Sequence, residues 1–128
     1  GWPLEDGVKR WGYSIPDGVQ RSNIPVVLVS GPPAAGKTTY IAEYAGPDDL
    51  VIDFDVYRRR AGGTKWDVRR SIWRKAFAMR DKDIRSLSRR ENGTCYLIVT
   101  APTKVERDTW VDALGDVTVV VIGTPQEE

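Results

Sequence analysis

Gly31-Pro32-Pro33-Ala34-Ala35-Gly36-Lys37-Thr38-Thr39 decides how this chain is read. The stretch has the spacing G-x-x-x-x-G-K-T, and it joins an apolar run, Ile24 to Ser30, to a segment of helical character that begins near Lys37. A strand, a glycine-bounded loop and a helix in that order predict a phosphate-binding loop. Gly31 and Gly36 allow positive φ and leave the backbone bare, so successive N–H groups can turn toward phosphate oxygens. Lys37 would bring an ammonium to the terminal phosphates, and Thr38 would offer its hydroxyl to Mg²⁺. The start of the helix adds the positive end of its dipole. Gly31, Pro32, Ala34, Ala35, Gly36, Lys37, Thr38 and Thr39 are therefore the expected nucleotide contacts.

Working outward, strand and helix alternate. Ile24–Ser30 reads as a first strand buried on both faces, as in a parallel sheet covered by helices. Lys37–Ala45 reads as a helix closed by Gly46-Pro47, and Leu50–Phe54 as a second strand with Asp53 and Asp55 at its carboxyl end. After the Gly62-Gly63 break, Trp66 to about Arg89 forms a long helix, with Ile72, Trp73, Ala76, Phe77, Ile84 and Leu87 as its buried stripe. Thr94–Thr100, Lys104–Leu114 and Val117–Ile122 complete the pattern as strand, helix and strand. Such alternation indicates an α/β parallel sheet with ligands beyond the carboxyl ends of its strands, where Asp53, Asp55 and Thr100 would join the loop. Residues 1–23, with Trp2, Trp11 and Tyr13 among Gly and Pro, read as an irregular arm pinned by aromatics, and residues 24–128 as the nucleotide-binding domain.

The composition sets bounds. The 128 residues suffice for one modest core, and 41% hydrophobic with 29% charged residues is ordinary for a globular chain. No apolar stretch is long enough to span a bilayer and no charged-then-apolar leader opens the sequence, so a cytoplasmic protein is expected. The lone Cys95 is expected as a buried thiol, and the absence of histidine excludes histidine-based metal and acid–base chemistry. Starting at Gly1, with Met79 as its only methionine, the chain is expected to be a fragment. The net charge of +1 hides an asymmetry: residues 57–90 hold thirteen Lys and Arg against three Asp, while the remaining segments hold six bases and fifteen acids. That excess predicts contact with an anionic substrate or nucleic acid; a solvated helix face balanced by acidic neighbours is the alternative.

A second constellation follows the loop by about twenty residues: Val51-Ile52-Asp53-Phe54-Asp55-Val56-Tyr57-Arg58. With the phosphate-binding loop, its D-x-Y-R resembles the polynucleotide kinases and their P-loop kinase relatives. More broadly, GPPAAGKTTY, VIDFD and IVTAPTKVERDTW resemble small bacteriophage- and prophage-encoded proteins labelled as AAA-family or ATP-binding, over most of Ile24 to Gly123. The resemblance implies a P-loop NTPase fold with strand order 2-3-1-4, helices on both faces, and ATP or another NTP with Mg²⁺ as cofactors. It also implies Asp55 as the base that takes the proton of an attacking hydroxyl, Arg58 as a phosphate contact, Lys37 as a catalytic cation, and Thr38 with Asp53 at the metal. A carboxylate near the γ-phosphate can orient a hydroxyl, and an arginine offers paired donors to phosphate oxygens. A strand-terminal Asp capping a short helix is the structural alternative.

Two departures shape the expectation. The third strand ends Leu97-Ile98-Val99-Thr100 with no acid where hydrolytic motors place one, which argues against a motor ATPase. The lid helix of P-loop kinases would begin where this sequence ends, so the domain is expected to be truncated before its lid and turnover to be weak. Arg107 or the arginines of the long helix would then have to supply transition-state charge. Three functions remain: transfer of the γ-phosphate to a hydroxyl of a nucleic acid, transfer to a small acceptor as in zeta-toxin-like kinases, or a phage-type DNA-associated ATPase or switch.

Overall fold

In the computed structural model, the described residues are 15–31, 36–64, 69–99 and 103–123. In chain order they form β1 (Val26–Ser30), α1 (Lys37–Tyr44), β2 (Leu50–Ile52), α2 (Phe54–Arg60), α3 (Arg70–Ser86) with a 3₁₀ turn at Leu87–Arg89, β3 (Cys95–Val99), α4 (Lys104–Leu114) and β4 (Val117–Val121). The four strands make one parallel sheet in the order β2-β3-β1-β4. The expected α/β class, the parallel sheet and the strand order are thus all observed. β1 pairs on both sides, Val26 with Cys95 and Val117, Ser30 with Val99 and Val121. That double pairing is why its sequence is almost continuously apolar.

Side-chain alternation divides the core between two faces. Val26, Leu28, Ile52, Cys95, Leu97 and Val99 point to the face covered by α2, α3 and α4, where Tyr57, Ala76, Ile84, Trp110 and Leu114 meet them. Val27, Val29, Val51, Tyr96 and Ile98 point to the other, which α1 covers through Ile41 and Tyr40. Helices therefore lie on both faces. Cys95 is a free, wholly buried thiol, as expected.

Several element boundaries differ from expectation: α1 ends at Tyr44, β3 begins at Cys95 and β4 ends at Val121, each one residue inside the expected range, and α3 begins at Arg70, after an extended Arg69. β1 begins at Val26 rather than Ile24, although Ile24 is still buried, because Pro25 has no N–H to give to a ladder. β2 stops at Ile52 because the Asp53 carboxylate accepts the backbone N–H of Asp55 and starts a helix there. Phe54 then packs its ring on Trp73 and Phe77, at 5.1 and 4.3 Å between centroids, instead of extending the strand. The long helix closes at Ser86 and tightens into the 3₁₀ turn.

α3 runs antiparallel to the strands. It follows α2 at the carboxyl edge of the sheet and ends at the amino edge, where Leu87 accepts a backbone hydrogen bond of 2.9 Å from Asn23, just before β1. Its buried stripe includes the expected Ile72, Ala76, Phe77 and Ile84, with Trp73 half-buried, and adds one residue the apolar pattern did not flag. Arg80 lies in that stripe, 5% exposed, its guanidinium over the rings of Phe77 and Trp110 and paired with Asp81. Within the expected arm, Ile15 and Val19 pack on the core and Asp17 accepts a hydrogen bond of 2.7 Å from Arg85; Trp2, Trp11 and Tyr13 lie outside the described residues.

Candidate functional site

The carboxyl edge of the sheet gathers the sequence-predicted residues that can be described. Ser30 ends β1, Gly31 follows it, and Gly36 re-enters with φ of +99°, a left-handed conformation that a side chain would strain. Pro32, Ala34 and Ala35 lie outside the described residues, as does Thr100. α1 starts at Lys37 with no side-chain cap and no acid in its first turn. Asp53 caps α2, and Thr103 with Glu106 forms a reciprocal capping box on α4, whereas α3, like α1, has neither a side-chain cap nor an acid in its first turn. The first amide groups of α1 thus keep their donor capacity and the positive end of the dipole, while Thr38 and Thr39 are exposed beside them.

Lys37 folds back, and its Nζ donates to the carbonyl of Gly31 at 2.6 Å, across the ends of the loop. Partial burial pushes its pKa down, opposed by the negative charges of Asp53 and Asp55. The same coupling is felt from the other side. Burial raises the Asp53 carboxyl above the usual carboxylate range, against the hydrogen bond from the Asp55 N–H; the Asp55 charge adds to the rise, and Arg59 and Lys37 oppose it. Since β3 lies between β1 and β2, the Lys37 helix start and the two carboxylates stand at the same edge of the sheet, near enough for their charges to act on one another. The fold brings together Gly31, Gly36, Lys37, Thr38, Asp53 and Asp55.

Arg58 sits in an unexpected setting. It is 9% exposed, its guanidinium lies 5.3 Å from the Phe54 ring centre and 5.7 Å from that of Trp73, and it donates to the Asp55 carboxylate one helical turn earlier. The resemblance implied Arg58 as a phosphate contact; in the fold its guanidinium donates to Asp55. Asp55 keeps 38% of its side chain exposed. Deeper in α2, Tyr57 donates to Asp83 at 2.6 Å and locks α2 to α3, an anchor the sequence pattern did not reveal.

Among the described residues no three His, Cys, Asp or Glu side chains cluster as a metal cage. Magnesium at a phosphate site does not need one: a hydroxyl and one or two carboxylates suffice, with phosphate oxygens and water filling the octahedron. Thr38, exposed in the first turn of α1, and Asp53, whose buried carboxylate is eased by positive charge, fit that donor set. A hollow lined by residues 46–49 and 90–93 lies at the opposite, amino edge of the sheet. There Asp49 is spent on the backbone N–H groups of Gly46 and Thr94, so that hollow is a loop junction.

No protein-family model matches the chain, and no curated protein matches it either. Among the described residues no helix is long and apolar enough to cross a membrane.

Proposed function

We propose that this chain is an ATP-binding protein of P-loop kinase type that moves the γ-phosphate of ATP to a hydroxyl acceptor. The observation that carries the reading is the meeting, at one edge of the sheet, of an uncapped helix start bearing Lys37 with the Asp53–Asp55 pair. The loop amides and the first turn of α1 bind the phosphates, and Lys37 leaves the Gly31 carbonyl to contact the terminal ones. Thr38 and Asp53 would hold Mg²⁺, which would supply positive charge to the phosphates during transfer. Asp55 takes the proton of the attacking hydroxyl on its carboxylate. Arg58, anchored by two rings and bound to Asp55, fixes the direction of that carboxylate.

The test uses fluorescent ATP binding and transfer of labelled γ-phosphate to a 5′-hydroxyl oligonucleotide or a nucleotide sugar. Lys37→Ala is expected to weaken ATP binding at least tenfold. Asp55→Asn is expected to leave ATP affinity within about twofold and to cut transfer by roughly 10²-fold or more, the scale of a lost general base. ATP affinity unchanged in Lys37→Ala would overturn the nucleotide site. Free phosphate with no labelled acceptor would replace transfer with hydrolysis.

A further inference from the structure

α3 presents opposite sides of different chemistry. With about 100° and 1.5 Å per residue, Ile72, Ala76, Phe77, Arg80 and Ile84 fall within one arc, and all are buried. The arc facing away holds Arg70, Ser71, Arg74, Lys75, Ala78, Asp81, Lys82 and Arg85, five cations to one acid, spread over about 22 Å of helix. Arg70, Arg74, Lys75 and Lys82 are exposed. Acids that could neutralise them are used elsewhere: Asp81 pairs with the buried Arg80, and Asp83 accepts from Tyr57. Among the described residues, no carboxylate pairs with any of these four cations. Among the described residues, the cations thus outnumber the acids on this side of α3 and are not balanced by ion pairs.

We propose that the outward face of α3 binds the phosphodiester backbone of nucleic acid. A row of cations along a rigid helix matches a linear polyanion, whose condensed counterions are released on contact. A lipid surface fits less well, because interfacial helices insert an apolar side and that side of α3 is buried in the core. Ala78 is the only apolar residue on the outward arc, and Trp73 is engaged with Phe54 and Phe77. With no ring on the outward arc of α3 itself, contact there is to phosphates and independent of base sequence. The row also has a direction. Its Arg70 end lies toward the carboxyl edge, one turn from Trp73 where α3 packs on Phe54 of α2, and its Lys82 end toward the amino edge. A strand lying on α3 would run from the rim of the candidate nucleotide site toward the far edge of the sheet. The surface does not depend on the nucleotide reading.

The test is fluorescence anisotropy with a labelled 20-nucleotide single strand of mixed sequence, read from about 50 to 200 mM salt. Two double variants with the same change in formal charge are compared: Arg74→Glu/Lys82→Glu on α3, and Arg21→Glu/Lys104→Glu outside it. The α3 pair is expected to weaken binding at least tenfold at 50 mM salt and to reduce the slope of log K against log salt by about 1.4, two phosphates at ~0.7 each. The other pair is expected to lose less than threefold. Equal losses would overturn the proposal in favour of diffuse charge attraction, and no binding at 50 mM salt would overturn it outright. Tighter capture by phosphatidylserine vesicles than by the oligonucleotide would reassign the face to lipid. Lys37→Ala, which tests the nucleotide site, is expected to keep oligonucleotide affinity; its loss would put the strand in that site and not on α3.

Discussion

Asp53 serves two purposes that oppose each other. As the cap of α2 it needs only an oxygen for the Asp55 N–H, but as a candidate metal holder it needs a charge, and burial disfavours that charge. A carboxyl whose folded pKa is raised binds more protons folded than unfolded. Its contribution to stability is therefore greatest below the ordinary carboxylate range and falls as pH rises through the folded value. Asn keeps the cap and never ionises. Asp53→Asn is thus expected to raise the melting temperature at pH 7 by roughly 2–6 °C, on the usual scale of such substitutions. Melts at pH 7 and pH 4 check this, because the gain should shrink toward pH 4, where Asp53 regains its proton. The Gly36-Lys37 part of the site was legible in sequence because its geometry is set within nine consecutive residues. The setting of Arg58 was not: its descent onto Asp55 depends on Phe54 and Trp73, which reach it from two helices.

Among elements, the helix ends differ in how they are closed. α4 closes its own amino end: Thr103 accepts from the Glu106 N–H at 3.2 Å, and Glu106 accepts from the Thr103 N–H at 3.1 Å. Thr103→Ala should cost about 1 kcal/mol in a urea titration, the usual value of a lost cap. α1, entered at Gly36, and α3, entered at Arg69, both forgo that support. α4 and α1 were legible because caps and glycines are local signals. β2 was read two residues too long because Phe54 suits a strand as well as a helix, and only its contact with Trp73 and Phe77 settles the choice. In α3 the apolar period was plain, but a guanidinium on the buried side becomes legible only when Trp110 arrives from α4 to cover it. Asp83 is equally hidden in sequence, since its partner Tyr57 lies 26 residues away.

Across the whole molecule, Cys95 reports on opening of the core. It stands on β3, between β2 and β1, wholly buried, and burial pushes its thiol up to about 12. Its folded pKa is raised, so its contribution to stability is present below the unfolded value of about 9 and is lost as pH rises toward 12. Tyr57, raised by burial and by its bond to Asp83, acts in the same direction above pH 10. Stability should therefore decline from about pH 9 upward, as measured by urea midpoints. At pH 8 a thiol reagent should label Cys95 only at the rate of global unfolding, so urea should speed labelling in step with the unfolded fraction; labelling independent of urea would mean that the sheet opens locally. The strand order has a further consequence, for synthesis. The middle strand is made first, yet Val26 pairs with Cys95, about seventy residues later, and with Val117 beyond that. At roughly 5–20 residues per second, a ribosome leaves both sides of that strand bare for several seconds. An apolar strand of the nascent chain thus waits a long time for company, which makes it a natural foothold for a chaperone.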